Sequence, residues 1–215
     1  MVDHIIENAI EYVKEIFSGD SSGHDYFHTI RVYRLATEIA KQENADVTIV
    51  QLAALLHDVH DVKISPETHD GKKNAVRFMR TNGVEEEVIR AVCKMIDEVA
   101  FVGTDSVAPS TIEGKCVQDA DRVDAIGAIG IARAFAYGGS KGRKIYDPDV
   151  APKMGMSKEE YRKNQNAPSI NHFYEKLLLL KDMMNTDAAK KIAAHRHAVM
   201  EDFLQEFMAE WEGER

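Results

Sequence analysis

The chain has 215 residues, of which 36 are acidic and 27 are basic, so its formal net charge is −9 at pH 7. This acidity argues against a polymeric nucleic acid or an anionic membrane surface as partner, because both recruit clustered Lys and Arg. The length of the chain predicts one domain, and two cysteines are too few for a disulfide framework. Because the sequence has no signal-peptide pattern and no apolar run near the ~20 residues of a membrane span, we expect a cytoplasmic protein without membrane spans.

Nearly every segment has the three- and four-residue apolar spacing of an amphipathic helix. Strand patterns are nearly absent, and the one Asn-Gly pair lies between helical patterns. The spacing therefore predicts an all-α fold, a single-domain bundle of about eight or nine helices. The apolar stripes of the predicted helices cover residues 5–17, 30–40, 52–56, 75–79, 88–96, 112–137 (in one or two pieces), 171–184 and 187–211.

Residues 138–169 interrupt this pattern with four glycines and three of the five prolines. Loops this long in compact domains are usually functional or disordered. We therefore expect a core over about residues 20–137, a lid loop over 138–169 that faces substrate, and C-terminal helices over 170–213. A flexible insertion is the alternative interpretation of the loop.

The start of the predicted lid is rich in glycine and carries the cations of Lys141, Arg143 and Lys144. Backbone N–H groups and cations together suit a triphosphate or another polyanion. A solvated basic loop would have the same composition, so both interpretations stay open.

The C-terminal helices carry further histidines. His172 and Lys176 are four residues apart and are candidates to contact the same ligand as the lid. His195 and His197 are two residues apart, face in different directions on a helix, and are expected at the surface.

Ionisable residues follow directly on the apolar helix that ends at residue 56, beginning with His57-Asp58 and continuing to Asp61 and Lys63. Burying such groups costs free energy unless something pairs them, and a metal ion pairs with imidazole and carboxylate together. In an ideal helix His57 and Asp58 point about 100° apart. They can therefore meet at one ion only at a helix end or through their different lengths. A surface cluster at a helix C-terminus is the alternative.

A second cluster lies at the start of the second predicted helix. His24 and His28 are four residues apart, and His28 begins the apolar stripe, so it can point inward. A hydrogen-bonded core histidine is the alternative for His28. Arg31, one turn further on, is a candidate to meet an anion, or else a solvated surface residue.

A third cluster places Asp119, Asp121 and Asp124 within six residues of apolar sequence. Helical spacing turns Asp119 about 200° away from Asp121, so these two cannot face one ion. Asp121 and Asp124 are three residues apart and can share a face.

His28, the pair His57-Asp58 and Asp121 on an all-helical chain resemble the H…HD…D pattern of the HD-domain metal-dependent phosphohydrolases. The resemblance extends over about residues 20–210. The flanking segments look like those of one bacterial subgroup of stand-alone HD hydrolases: Gly23-His24-Asp25, Asp61 and Lys63, the Asp-Arg-Val that follows Ala120, Tyr137-Gly138-Gly139, and Asn171 to Leu177.

The resemblance implies an HD-type helical bundle in which His28, His57, Asp58 and Asp121 bind the metal. Enzymes of this superfamily with two metals use extra histidines between the His-Asp pair and the final Asp, and residues 71–118 contain no histidine. We therefore expect one divalent ion. Imidazole and carboxylate without thiolate suit Mn²⁺, Fe²⁺, Co²⁺, Ni²⁺ or Mg²⁺.

The resemblance also assigns catalytic and substrate-binding roles around the metal. Asp61 matches an acidic residue near the attacking water, with His24 or Asp25 to help orient the water or take its proton. Lys63 is placed to hold a phosphate, and Arg31 would offset charge on the phosphoryl oxygens.

These expectations combine into one function. We expect a phosphoric-ester or phosphoanhydride hydrolase that uses metal-activated water to release phosphate or pyrophosphate from a small phosphorylated substrate, a nucleotide. A non-catalytic nucleotide-binding HD signalling module is the alternative. We expect a monomer or homodimer.

Overall fold

The computed structural model describes residues 2–18, 25–59, 72–99, 107–157, 160, 164 and 166–215. Within these residues it contains nine α-helices, one 3-10 helix and no strand, which confirms the all-α prediction. The α-helices are α1 (Val2–Ile16), α2 (Tyr26–Gln42), α3 (Val47–Leu56), α4 (Lys73–Thr81), α5 (Glu86–Val99), α6 (Ile112–Asp124), α7 (Gly127–Ser140), α8 (Ser169–Glu175) and α9 (Asp187–Trp211), and the 3-10 helix is Leu177–Met183. None of the described helices is long and apolar enough to cross a membrane.

The chain forms two compact units. The first comprises α1 to α5 and α6 as far as Asp121, and the second comprises the end of α6 and all later helices.

Helix α3 is the central helix of the first unit and packs against α1, α2 and α5. Its residues from Leu52 to Leu56 are at most 2% exposed, since a helix that is apolar on all sides is stable only when surrounded. Asp46 starts the helix by accepting hydrogen bonds from the backbone N–H groups of Thr48 and Ile49 at 2.9 and 3.1 Å. His57 and Val59, which follow Leu56, are buried as well.

The predicted helix over 112–137 is two helices. Helix α6 ends at Asp124 and α7 begins at Gly127, whose φ of +76° is in the left-handed region that favours glycine. A Cβ at Gly127 would lie 2.9 Å from Cγ of Arg196, and the Arg196 guanidinium donates a 2.7 Å hydrogen bond to the Val123 carbonyl. The glycine thus lets an arginine reach the end of α6.

The prediction of one helix over 171–184 is wrong. Helix α8 ends at Glu175, Lys176 leaves helical geometry, and a 3-10 helix follows. The three-residue period of a 3-10 helix buries Leu177 and Leu180 together while Leu179 stays 41% exposed, which explains how a run of leucines is accommodated.

Residues 138–140 of the predicted lid segment are helical, because α7 continues through Ser140 despite Gly138 and Gly139. Residues 141–157 form no helix.

The expectation that His197 lies at the surface is wrong. His197 is 8% exposed, whereas His195 is exposed. Spacings of three and four residues place His197 on the buried stripe of α9, with Ala193 before it and Met200 after it. Its Nε2 lies 3.3 Å from the Glu201 carboxylate. That periodicity, continued across the histidine, would have predicted burial.

Candidate metal centre

The end of α3 brings His57 and Asp58 to one point. Helix α3 stops at Leu56, so these residues are not held about 100° apart, and Nε2 of His57 lies 3.2 Å from Oδ2 of Asp58. A helix end is one of the two ways in which the sequence allowed both residues to reach a shared ion.

The two nitrogens of His57 have different environments. Nδ1 lies 2.8 Å from the Ala54 carbonyl oxygen, and because a carbonyl can only accept, Nδ1 carries the proton of the neutral ring. Nε2 is then left with its lone pair. That atom is buried and has no hydrogen-bond partner among the described residues. A backbone carbonyl behind one nitrogen and an unprotonated second nitrogen is how histidines are oriented toward metal ions.

His28 enters the same site from the first turn of α2. Asp25 caps this helix, and its Oδ1 accepts a 2.8 Å hydrogen bond from the backbone N–H of His28. Nε2 of His28 lies 3.6 Å from Oδ2 of Asp58 and 3.4 Å from Oδ1 of Asp121. The cap therefore fixes the backbone of a residue that faces both carboxylates.

The site is closed on its imidazole side and open on its carboxylate side. The side chains of His28 and His57 are 1% and 4% exposed, whereas those of Asp58 and Asp121 are 16% and 25% exposed. Water or a substrate oxygen can thus approach the carboxylates while the ring nitrogens stay shielded.

The spacing of these atoms fits one divalent ion. Ligand atoms of His28, His57 and Asp58 all lie within 4.8 Å of one another. Adjacent ligands of an octahedral ion at about 2.1 Å would be about 3.0 Å apart, and the measured N–O separations are 3.2 and 3.6 Å. Asp121 approaches through its contact with His28 and lies outside the group of three.

The electrostatics of the site favour a cation. Burial lowers the pKa of His57, but the carboxylates of Asp58 and Asp121 outweigh burial and raise this pKa to about 9. A positive ion placed between the two carboxylates and the buried imidazoles would balance the negative charge of the carboxylates.

The other acidic residues of the third cluster have different partners. Asp124 has a 1% exposed side chain and pairs with Arg133 at 2.6 Å. Asp119 is fully buried and, after burial itself, is the main group that raises the pKa of Cys116 to about 12.

Two acidic residues on α5 lie in the region where the resemblance would place the extra histidines of a two-metal enzyme, and both have other partners. Asp97 pairs with Lys72 at 2.6 Å, and the Glu98 carboxylate accepts a hydrogen bond from the Ser110 hydroxyl at 3.1 Å. In the described ranges, His28, His57 and Asp58 are the cluster suited to a metal ion.

Several predicted catalytic residues lie outside the described residues, namely His24, Asp61 and Lys63. Asp25 is described and serves as the cap of α2. Arg31 lies one turn beyond His28 and is partly buried.

The predicted substrate contacts of the lid lie in the second unit. Lys141 and Arg143 flank the ring of Tyr137, with Nζ and Cζ at 5.7 and 5.1 Å from its centre. Lys144 is instead paired with Asp147 at 2.6 Å, which compensates its charge.

His172 and Lys176 lie on and directly after α8. Burial and, after it, the positive charges of Lys176 and Arg143 together lower the pKa of His172 to about 3. The structure therefore brings Arg143, His172 and Lys176 into one electrostatic neighbourhood.

Comparisons with known proteins show the family of the chain. The HD domain family matches residues 25–126, a span that includes His28, His57, Asp58 and Asp121. The uncharacterized protein YpgQ of Bacillus subtilis is 41% identical over 197 residues, which are 91% of this chain and 88% of YpgQ.

Solved structures extend the similarity to the whole chain. An HD-superfamily hydrolase from Bacillus thuringiensis is 45% identical, with a TM-score of 0.79 and 99% of each chain covered. The structure of Bacillus subtilis YpgQ in complex with ADP has a TM-score of 0.75 at 35% identity, with 98% of this chain and 97% of YpgQ covered. The chain belongs to the HD-domain superfamily, whose domains bind divalent metals and whose similarity here supports a metal-dependent hydrolase.

Proposed function

We propose that this hydrolase acts on a nucleotide and releases phosphate or pyrophosphate. The observation that carries the proposal is the convergence of His28, His57, Asp58 and Asp121, with Nε2 of His57 buried and 3.2 Å from the Asp58 carboxylate. The ADP complex of YpgQ supports a nucleotide as the ligand class.

We propose these four side chains as the ligands of one divalent ion. Two imidazole nitrogens and two carboxylates form a mixed N/O set without thiolate, which suits Mn²⁺, Fe²⁺, Co²⁺, Ni²⁺ or Mg²⁺. Held by these residues, such an ion would supply Lewis acidity, which lowers the pKa of a water molecule and polarises a phosphoryl oxygen.

The protein side chains have complementary tasks. The open carboxylate side admits the phosphoryl group, while the buried imidazoles keep the ligand set rigid. Asp61, with His24 or Asp25, orients the attacking water or takes its proton. Lys63 and Arg31 offset the charge that develops on the phosphoryl oxygens.

A panel of nucleoside mono-, di- and triphosphates and small phosphate esters, each assayed with Mn²⁺, Mg²⁺, Co²⁺ and Ni²⁺, tests this function. ³¹P NMR of the products separates phosphate release from pyrophosphate release. We expect hydrolysis of at least one nucleotide, abolished by a chelator and restored by the metal.

Asp58→Asn and His57→Gln are the test variants, and Asp187→Asn and His195→Gln on exposed positions of α9 are their matched controls. We expect at least about a hundredfold loss of rate in the first pair and none in the second. Metal-independent turnover, or unchanged turnover in the test variants, would overturn the proposal.

The ADP complex is also compatible with a nucleotide-binding module without turnover. The same panel separates the two functions, because a module of that kind would bind a nucleotide in calorimetry and leave it intact with every metal.

A further inference from the structure

Helix α4 buries one polar side chain in a stripe that is otherwise apolar. Its buried residues are Asn74, Ala75, Phe78 and Met79. Asn74 is 5% exposed. An apolar side chain of similar size would fill this place without the cost of removing an amide from water. The hydrogen bonds that the amide makes therefore have to account for its presence.

The Asn74 amide uses both of its ends. Nδ2 donates a 2.8 Å hydrogen bond to the buried Val59 carbonyl, and Oδ1 accepts one of 3.3 Å from the Arg77 guanidinium. Since a carbonyl can only accept and a guanidinium can only donate, these two partners fix the orientation of the amide. An ionised carboxylate or an aliphatic side chain at this position could not donate to Val59.

The backbone of Asn74 is held from α1. The Tyr12 hydroxyl donates a hydrogen bond to the Asn74 carbonyl at 3.3 Å. The Tyr12 ring stacks on that of Phe78, one turn further along α4, with the ring centres 4.8 Å apart. The amide that reaches Val59 is therefore carried by a segment that is anchored to a second helix.

The contact with Val59 matters because of the residue that precedes it. Asp58 lies in a turn beyond the end of α3. On one side of it, Nδ1 of His57 lies 2.8 Å from a backbone carbonyl of α3. On the other side, the Val59 carbonyl is held by Asn74. Both neighbours of Asp58 are thus fixed by hydrogen bonds, one to α3 and one to α4.

The position of Asp58 sets the geometry of the candidate metal centre. Its Oδ2 lies 3.2 Å from Nε2 of His57 and 3.6 Å from Nε2 of His28. The atoms of a metal site have to be held within about 0.5 Å of their working arrangement by the hydrogen bonds around them. A side chain that fixes the peptide next to Asp58 contributes to that precision.

We infer that Asn74 is a positioning residue of the candidate metal centre. Its amide holds the turn of Asp58 and Val59 so that the Asp58 carboxylate faces both imidazoles. The inference rests on the proposed function through the ligand set, but it gives Asn74 no contact with metal or substrate. It also explains why the buried stripe of α4 contains an amide.

Asn171 provides the control, because it makes a similar contact in the second unit. It is 1% exposed, and its Nδ2 donates a 2.8 Å hydrogen bond to the Val150 carbonyl. Replacement of either asparagine by Leu or Ala removes a donor from the interior, which costs stability. Only the loss of Asn74 is expected to change the metal centre.

Two measurements without nucleotide test the inference, namely calorimetry of Mn²⁺ binding and the visible absorption spectrum of the Co²⁺-loaded chain. We expect Asn74→Leu and Asn74→Ala each to weaken Mn²⁺ binding about tenfold or more. Both should also alter the Co²⁺ spectrum, which reports the arrangement of the ligands. Asn171→Leu and Asn171→Ala should match the parent in affinity and spectrum. Urea unfolding verifies that each variant is folded under the conditions of the assay.

Parent-like affinity and spectrum in the Asn74 variants would overturn the inference. Equal changes in the Asn74 and Asn171 variants would overturn it as well, because they would show a general effect of losing a buried amide. Failure of the parent to bind either metal would overturn it together with the ligand set. Since no turnover is measured, a chain that binds the metal but hydrolyses no nucleotide refutes the proposed hydrolysis alone.

Discussion

At the scale of single residues, His57 shows how a backbone carbonyl selects a ligand atom. The Ala54 carbonyl holds a proton on Nδ1, so in the neutral ring the lone pair belongs to Nε2, which lies 3.2 Å from the Asp58 carboxylate. The sequence places His57 next to Asp58, but the carbonyl contact follows from the end of α3 and is visible only in the fold.

Replacement of His57 by Gln is expected to remove metal binding, because an amide nitrogen has no lone pair comparable to Nε2. We predict an affinity for Mn²⁺ reduced by more than the roughly 10–100-fold typical of losing a residue that only orients a metal ligand by a hydrogen bond. Metal content after dialysis, measured by mass spectrometry, checks this. His195→Gln is the control, and retention of one tightly bound ion by His57→Gln would contradict the ligand assignment.

His172 predicts a pH dependence of stability. Above pH 6.5 the imidazole is neutral in both states; between pH 6.5 and about 3 the unfolded chain binds a proton that the folded chain does not. The free energy of unfolding therefore falls as the pH falls, with a contribution of at most about 1.4 kcal/mol per pH unit.

Urea unfolding of the metal-free protein between pH 7 and pH 4.5 measures this contribution, with His172→Gln as the comparison. We expect the variant to lose less stability than the parent over this range. Parallel curves would show that His172 is protonated equally in the folded and unfolded chains.

At the scale of helices, the end of α6 is fixed by arginines of the second unit. Arg196 donates to the Val123 carbonyl at 2.7 Å, and Arg133 pairs with the buried Asp124 carboxylate at 2.6 Å. Cations at a helix C-terminus satisfy its last carbonyls and interact favourably with its dipole. The turn that follows Asp121 is therefore held by side chains far along the sequence.

Replacing Arg133 by Met leaves a buried carboxylate without one of its partners. We expect the free energy of unfolding to fall by about 2–3 kcal/mol, because the Asp124 carboxylate would stay buried without the positive charge that compensates it. Urea unfolding checks this value. Lys190→Met, which breaks an exposed pair with Asp187, is expected to cost less than about 0.5 kcal/mol, and equal costs would contradict this role of Asp124.

The helices were largely predictable because apolar periodicity carries the information for them, as for α9, whose observed bounds are those expected. The break between α6 and α7 was left open, since it depends on an arginine contact across Gly127. The 3-10 helix was missed because a run of leucines has no period of its own. His197 was missed because two-residue spacing was considered without the stripe around it.

For the candidate site, the residues could be predicted but their contacts could not. The H…HD…D residues could be named through the family resemblance, and the structure brings them together. Asp58 and Asp121 are more than 60 residues apart in the sequence, and only the packing of the helices shows that both lie near His28. The pairing of Lys144 with Asp147 could not be deduced from composition, because the composition of a basic loop does not show which of its cations form ion pairs.

At the scale of the whole molecule, the charge of −9 does not exclude an anionic substrate. Part of the acidity lies at the candidate metal centre, where a divalent ion would compensate it, and in the second unit Arg143 and Lys176 share one electrostatic neighbourhood with His172. Net charge governs long-range steering, whereas local groups govern the binding of a small ligand.

Metal binding is expected to stabilise the fold, because the ligands converge only in the folded chain. At a free Mn²⁺ concentration of 100 times Kd, linkage predicts an increase of about 2.7 kcal/mol in the free energy of unfolding. Urea unfolding with and without metal checks this for the parent. The same measurement on Asp58→Asn should show no increase, and an equal increase would place the ion elsewhere.

The most direct test of the central claim is ³¹P NMR of nucleoside triphosphate incubated with Mn²⁺-loaded parent protein and with Asp58→Asn under the same conditions. The metal centre predicts phosphate or pyrophosphate from the parent, and at least about a hundredfold less from the variant. Equal product from both proteins, or product from the parent in excess chelator, would contradict it.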